Sequence, residues 1–289
     1  MRHACFVVTP IALLLLAAGC GGTTGRASST TTTAARAPVG LRVGVVGPLQ
    51  VQAPGAVIER MSLRAAAEES LVLAVATPRT SVSVPEAALA HPSTHYALVG
   101  ASAAAQRLPN LAGVLVRDDQ AARLGGAVAG LAVRGQSDRR VAWVGPRDDS
   151  LVAAFVQGVH AVEPGTTILR QWSIDRPAAC KESALTAVGR GATVIMAPRG
   201  LCAAAALDGA HERNQPGLEL SDFQLPTVAA AQVVHDAVHG RYHGREDIVF
   251  GAASGAIGVR HLDPLLPETV AVQARAFAEQ LASGRTLSG

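Results

Sequence analysis

The feature that most constrains this chain is a repeated alternation of short apolar runs with longer segments of helical composition. The apolar runs are LRVGVVG, LVLAVAT, YALVGAS, GVLVRDD, RRVAWVG, TTILRQWS and ATVIMAP. Segments 120–133, 151–162, 178–190 and 201–213 lie between or after them and have helical composition and spacing. Continuous apolar strands separated by helices are typical of parallel sheets that are covered on both faces. The sequence therefore predicts an α/β fold.

The series begins again near Arg139, which predicts two similar lobes. We expect a first lobe at about 41–137, a second at about 138–250, and a C-terminal segment, 251–289, that could return to the first lobe. Strand 41–47 is expected to continue into a helix over 56–69, and the glycines of helix 120–133 would allow close packing. Because ligands of such sheets bind beyond the carboxyl ends of the strands, we expect a ligand cleft between the lobes.

The first forty residues have the composition of a leader and a tether. A short basic start is followed by the apolar run 6–18, which ends within the sequence Leu-Ala-Ala-Gly-Cys at positions 16–20. This pattern indicates a signal peptide over 1–19 and resembles the lipobox of bacterial lipoproteins, in which Cys20 would be lipidated. The alternative is an ordinary signal peptide cut near Ala18. Segment 20–40, rich in Gly, Thr, Ser and Ala, is predicted to be a disordered tether. We therefore expect a lipid-anchored protein on the extracytoplasmic face of the cell membrane.

Two of the four cysteines remain once the leader is set apart. Cys5 lies within the signal and Cys20 is assigned to lipid, which leaves Cys180 and Cys202. In an oxidising compartment such a pair is expected to form a disulfide. Two separate buried thiols are the alternative.

Composition and missing motifs exclude several classes of function. A net charge of +3 without a basic run or interleaved aromatics does not indicate nucleic-acid binding. No GxSxG nucleophile elbow or complete dinucleotide loop is present, and the only lysine, Lys181, is not in a phosphate-binding loop. We expect neither an enzyme nor a bound cofactor.

Polar or stacking residues follow several predicted strands, where α/β folds carry functional loops. The candidate ligand-binding residues are Asp148, Asp149, Trp172, Asp175, Gly200, Glu219 and Asp222. Each has an ordinary alternative: the aspartates at 148 and 149 could cap a helix, and Trp172 could pack between elements. Trp143, inside a strand, is predicted to be core. Arg199 could pair with an anionic ligand or with a neighbouring carboxylate.

Three histidines form a competing candidate site. His235 and His239 are four residues apart in HDAVHGRYH, and His243 follows. At this spacing, imidazoles on one helix face can share zinc or copper. A solvated helix end, where histidine suits the helix dipole, is the plainer interpretation.

Several blocks of the chain carry a family resemblance from about residue 110 onward. GVLVRDDQAARLGGAVAGLAV, RRVAWVGPRDDSLVAAFVQGV, QWSIDRPAACKESALTAVGRGATVIMAPRGLCAAAALDGA and DIVFGAASGAIGVRHLDPLLPETV resemble the basic membrane protein family of ABC-transporter substrate-binding lipoproteins. The resemblance implies a type I periplasmic-binding-protein fold with two hinged lobes, a purine-nucleoside-like ligand and a membrane permease as partner. The cysteine in PRGLCA, paired with one in the preceding helix, is similar to a recurring actinobacterial variant.

The first lobe departs from that family. GPLQVQAPGAV stands where the family has an acidic loop containing Ser-Phe-Asn, and segment 48–92 is shorter than its counterpart. Glu219 stands in place of an aspartate that accepts hydrogen bonds from ribose, and PTVAAAQVV lacks the family's lysine. A degenerate binding protein, acting as a sensor or as a partner-binding surface lipoprotein, is therefore the second interpretation.

Overall fold

The structure is a computed structural model that describes residues 40–174 and 176–284. The predicted signal peptide, Cys20 and nearly all of the predicted tether lie outside the described residues, as does Asp175. No helix in the described ranges is both long and apolar enough to cross a bilayer.

The strands and helices alternate along most of the chain. The strands are β1 (Leu41–Val46), β2 (Ala56–Arg60), β3 (Leu71–Val75), β4 (His95–Val99), β5 (Leu111–Val116), β6 (Arg140–Gly145), β7 (Thr167–Trp172), β8 (Val194–Ala197), β9 (Gly217–Glu219) and β10 (Ile248–Phe250). The α-helices are α1 (Thr80–Ala90), α2 (Asp118–Val133), α3 (Asp149–Val162), α4 (Pro177–Gly189), α5 (Leu201–His211), α6 (Pro226–Val238) and α7 (Glu268–Ala282).

Two parallel sheets organise these elements. The first has the strand order β10-β5-β4-β3-β1-β2, and the second has the order β7-β6-β8-β9. Alternate side chains of the first sheet pack against α6 on one face and α1 on the other. The second sheet is covered by α2 and α3 on one face and by α4 and α5 on the other. Trp143 is fully buried in this second core. The predicted α/β class with parallel sheets covered on both faces is confirmed.

The predicted helix over 56–69 is wrong. Residues 56–60 form strand β2, which pairs in parallel with β1 from Leu41 opposite Ala56 onward. A single turn of 3₁₀-helix, Ala65–Glu68, is all the helix in this stretch. The β-branched Val57 and Ile58 fit a pleated strand, and Ile58 packs against the first-lobe core. Pairing with β1 therefore outweighed the local helical composition.

The lobe boundaries also differ from the expected ones. The chain leaves the first sheet after β5, near residue 117 rather than 137, because the small residues of α2 pack with Trp143 and Phe155 in the second core. Helix α6 and strand β10, expected in the second lobe, pack with the first sheet. Helix α7 packs against α2 in the second lobe, so the described C-terminal residues beyond the crossover segments belong to that lobe rather than to the first.

Helices α2 and α3 approach each other more closely than ordinary side chains allow. A Cβ atom on Gly126 would lie 2.0 Å from the carbonyl oxygen of Phe155, and one on Gly158 would lie 1.9 Å from that of Arg123. The two glycines therefore let the helix backbones touch directly. The predicted close packing of the glycine-containing helix is found here.

Three segments connect the lobes, and they lie side by side. We call residues 116–118, 223–226 and 250–257 the crossover region. The backbone N–H of Arg117 donates to the carbonyl of Phe250 at 2.9 Å, and that of Leu225 donates to the carbonyl of Ala256 at 2.8 Å. An antiparallel bridge pairs Gln224 with Ile257. The crossings are thus tied into one narrow band between the two sheets.

Candidate functional site

A cleft of about 510 Å³ lies between the lobes next to the crossover region. It is formed by residues at or near the carboxyl ends of β1, β3, β4 and β5 in the first sheet and of β8 and β9 in the second. Its lining residues are Pro48, Leu49, Val75, Ala76, Val99, Gly100, Val114, Val116, Arg199, Ser221, Gln224, Pro226 and Arg260. Parallel sheets bind ligands at this edge, and the volume is within the range of small-molecule sites.

The first-lobe wall of the cleft is aliphatic. Leu49, Val99 and Val114 are buried parts of the wall, and Val75 lies beside them. Gly100 adopts a φ of +96°, which glycine tolerates best, and it follows β4 directly at the cleft. This wall offers an apolar surface to one side of a ligand.

The second-lobe wall and the crossover region supply polar groups. Arg199 follows β8 and donates from Nη2 to both carboxylate oxygens of Asp118, at 3.0 and 2.9 Å. The buried Gln224 donates from Nε2 to Asp118 Oδ1 at 2.5 Å. Asp118 therefore has both oxygens engaged, and Arg199 has the neighbouring-carboxylate role that was one of its two predicted alternatives.

Arg260 is the second cation of the cleft. Its backbone N–H donates to the carbonyl of Asp222 at 2.8 Å, which fixes this position beside β9. Its exposed guanidinium makes no hydrogen bond or ion pair with any other residue that the structure describes. One oxygen of the nearby Asp222 carboxylate, Oδ2, accepts from the backbone N–H of Glu219 at 2.8 Å. Arg260 thus retains its full hydrogen-bonding capacity.

The predicted candidates near β6 and β7 have local partners. Asp148 caps α3 by accepting hydrogen bonds from the backbone N–H groups of Ser150 and Leu151. The hydrogen bond from the Ser150 hydroxyl, together with these two backbone bonds, lowers the pKa of the Asp148 carboxyl. Asp149 pairs with Arg147, and the Arg147 guanidinium lies 5.9 Å from the ring centre of Trp172. None of the three candidates here lines the cleft. Their role in ligand binding stays a prediction.

The predicted candidates near β8 and β9 flank the cleft. Gly200 is the N-cap residue of α5 and directly follows the lining residue Arg199. Glu219 and Asp222 form a reciprocal cap around Ser221, which lines the cleft. Burial raises the pKa of the Asp222 carboxyl, against the lowering effect of its hydrogen bond from Glu219. These three residues position the wall without being among its lining side chains.

The two predicted disulfide cysteines lie within bridging distance. Cys180 in α4 and Cys202 in α5 are both buried, with Cα atoms 5.4 Å apart and sulfurs 2.17 Å apart. This spacing is compatible with a disulfide, which would join the two helices that cover one face of the second sheet.

The histidine cluster lies at the other end of α6 from the cleft. The rings of His235 and His239 are 4.3 Å apart, and the Nδ1 of His235 lies 3.5 Å from Asp236. Across residues 40–174 and 176–284, no three His, Cys, Asp or Glu side chains are grouped as metal ligands. The predicted site with His243 as a third ligand is therefore not assembled in this structure.

A larger cavity of about 720 Å³ lies on the outer side of the first sheet, between α1 and residues 62–67. Its lining comes from one lobe alone. We therefore regard the interlobe cleft, where groups from separate segments converge, as the candidate site.

Sequence reasoning missed Ser221, Gln224 and Arg260. Ser221 is enclosed by the two predicted acids Glu219 and Asp222, which was a usable signal. Gln224 and Arg260 lie in or beside irregular crossover segments, and no periodic pattern marks them. Only the fold brings them to the cleft.

No protein-family model matches the chain, and no curated protein sequence matches it. Solved structures do match. An ABC transporter system solute-binding protein from Conexibacter woesei superposes with a TM-score of 0.60 and 17% identity, covering 85% of this chain and 97% of that one. The chain has a type I periplasmic-binding-protein-like fold.

Two other solved structures show how widely this fold is shared. ABC transporter system solute-binding proteins from Aeropyrum pernix match with a TM-score of 0.50 and 17% identity, over 84% of this chain and 92% of that one. A transcriptional activator of the comK gene from Bacillus halodurans matches with a TM-score of 0.57 and 10% identity, over 86% and 100%. At these identities the comparisons establish the fold alone.

Proposed function

We propose that this protein is the solute-binding component of an ABC importer and that it captures a small molecule in the interlobe cleft. The observation that carries the proposal is the position of that cleft. It lies between the carboxyl ends of two parallel sheets, directly beside the crossover region. A ligand there can touch both lobes, so its contacts favour a closed arrangement over an open one. The protein itself performs no chemistry and needs no cofactor.

The proposal includes a location and a partner. The sequence up to Cys20 supports lipid anchoring at the extracytoplasmic face of the cell membrane, and segment 20–40 supports a flexible tether. An oxidising compartment would also suit a bridge between Cys180 and Cys202. The partner is a membrane permease that recognises the closed, loaded form.

The resemblance to the basic membrane protein family supplies a first ligand class for testing, the purine nucleosides. The altered first-lobe loop and the aliphatic lining make other small molecules necessary members of the same test. We therefore propose solute binding as the function and treat the nucleoside as one arm of the experiment.

A thermal-shift screen of the purified protein tests the proposal. The panel contains nucleosides, nucleobases, sugars, amino acids, short carboxylates and zinc or copper ions. A ligand at one hundred times its dissociation constant should stabilise the folded state by about 2.7 kcal/mol. Pro48 is exposed at the cleft, so Pro48→Trp should fill the site and abolish the shift. Pro92→Trp, at an exposed turn before β4 and away from the cleft, is the matched control.

Three results would count against this function. A ligand that shifts Pro48→Trp as much as the control binds elsewhere. A shift from metal ions alone would move the site to the histidines of α6. Silence across the panel, from a protein that melts cooperatively, would favour the second interpretation, a sensor or partner-binding surface lipoprotein. This second interpretation is included because the short segment 47–55, which joins β1 to β2, contains no helix.

A further inference from the structure

The residues that line the cleft divide into an aliphatic half and a hydrogen-bond-donating half. No aromatic side chain is among the described lining residues, so the wall offers no ring on which a nucleobase could stack. Leu49, Val75 and Val99 present branched alkyl groups instead. Such a surface favours the alkyl part of a ligand, because contact with it removes apolar area from water.

Of the two arginines in the polar half, Arg199 is in an ion pair and Arg260 is in none among the described residues. Asp118 is engaged by Arg199 and Gln224 through three hydrogen bonds. The remaining cation is Arg260, which has no hydrogen-bonded or ion-paired partner among the described residues. Burial raises the pKa of the Asp222 carboxyl and the charge of Arg260 acts to lower it, but no hydrogen bond joins the two side chains, and Asp222 Oδ2 accepts from the backbone N–H of Glu219. The cleft thus presents an arginine fork with no committed acceptor.

Sugars and nucleosides need acceptors as well as donors, because their hydroxyl groups donate hydrogen bonds. Among the described residues, the carboxylate that contacts Arg199 and Gln224 is Asp118, and it already accepts three hydrogen bonds from them. A carboxylate ligand has the opposite requirement, since an ionised carboxyl group only accepts. A guanidinium can donate two parallel bonds to it.

On these observations, and resting on the proposed solute-binding function, we infer that the ligand is a small aliphatic carboxylate. Arg260 binds its carboxyl group, Ser221 offers a further donor, and the alkyl chain lies against Leu49, Val75 and Val99. Arg260 is therefore the residue that determines specificity for an acid over a neutral molecule.

Isothermal titration of the full-length protein tests this assignment. The probes are hexanoate and octanoate, their neutral amides, adenosine and ribose. We expect the carboxylates to bind and the amides to bind at least tenfold more weakly, because the charge-assisted bonds are lost. Arg260→Gln should weaken carboxylate binding about tenfold or more without changing amide binding. Arg260→Lys should recover part of the loss, and Arg275→Gln, at an exposed arginine on α7, should have no effect.

The outcomes separate this inference from the function on which it rests. Binding of adenosine or ribose that Pro48→Trp abolishes and Arg260→Gln leaves unchanged would overturn the carboxylate assignment and retain solute binding in the cleft. Equal carboxylate affinity in Arg260→Gln and Arg275→Gln would overturn the role of Arg260. Binding of any probe that persists in Pro48→Trp would overturn both, because that probe binds outside the cleft. A failure of every probe to bind would overturn the carboxylate assignment, whereas solute binding itself is decided by the wider thermal-shift panel.

Discussion

Asp263 is the residue at which three segments of the second lobe meet. Its buried carboxylate accepts from His211 Nε2 at 2.5 Å and from the backbone N–H groups of Gly217 and Leu265 at 2.8 and 2.9 Å. Burial would raise the pKa of this carboxyl group, but the hydrogen bonds from Gly217 and His211 outweigh it and lower the pKa below its ordinary value of 3.8. The ionised form therefore stabilises the fold.

We expect Asp263→Asn to lower the free energy of unfolding by about 2 kcal/mol at neutral pH, because one buried acceptor and the charge are lost. Since the folded-state pKa is the lower one, the stabilisation is complete above about pH 4 and disappears as the pH falls through the folded-state value. The difference from wild type should therefore shrink in acid. Urea unfolding at neutral and acidic pH measures this, with the exposed Asp208→Asn as control. A pH-independent difference would show that the charge contributes nothing.

Cys180 and Cys202 carry a second prediction at the residue scale. The two cysteines are separated by 22 residues in sequence. A bridge between them should stabilise the fold by about 3 kcal/mol, because it reduces the conformational entropy of the unfolded chain. We expect peptide mass mapping without reductant to find the two cysteines joined, and reduction to lower the melting temperature. The double variant Cys180→Ser/Cys202→Ser should melt at the temperature of the reduced protein. Free thiols at both positions in protein purified without reductant would contradict the bridge.

At the scale of the secondary-structure elements, we expect the contact between α2 and α3 to be sensitive to substitution. A methyl group on Gly126 or Gly158 would overlap a backbone carbonyl of the facing helix, and backbone atoms can move only if the helices separate. We expect Gly126→Ala and Gly158→Ala each to cost about 3 kcal/mol of unfolding free energy, although alanine is the better helix former. Gly189→Ala, at the end of α4 with no atom within 4 Å of the new methyl group, should be neutral or slightly stabilising. Denaturant titration distinguishes these results.

At this scale the sequence predicts elements better than it predicts their partners. Strands β1, β6 and β8 have largely apolar sequence, and each was predicted within a residue or two of its observed ends, as was the more polar β7. The small residues of α2 indicate close packing, but they do not say whether the partner is a sheet or another helix. That choice depends on residues distant in the chain, such as Phe155, so the lobe boundary was misplaced.

The cleft could be predicted as a place but not as a set of residues. Parallel sheets locate a site at the carboxyl ends of strands, and this reasoning anticipated the cleft. It also favoured Trp172, which ends β7. The strand order places β7 at the edge of its sheet, and the cleft lies instead beside β8 and β9. Strand order depends on pairings between distant segments, which no local pattern encodes.

At the scale of the whole molecule, the crossover region determines what motion is available. The three connecting segments are held together by backbone hydrogen bonds such as Arg117 to Phe250 and Leu225 to Ala256. Each lobe has its own core on both faces of its sheet. A rotation about this narrow band would move two well-packed bodies with little cost to either core, which is the mechanism of hinge closure.

We therefore expect a saturating ligand to bring the lobes together and to reduce the radius of gyration measured by small-angle X-ray scattering. Closure requires that the ligand contact both walls, because only a difference in affinity between open and closed forms can shift their populations. Pro48→Trp, in which the cleft is filled, should scatter identically with and without the ligand, while Pro92→Trp should close as the wild type does. Identical scattering curves for the wild type with and without a ligand of measured affinity would show that binding is not coupled to closure. A permease would then have to recognise the ligand or the cleft surface itself rather than a change in lobe arrangement.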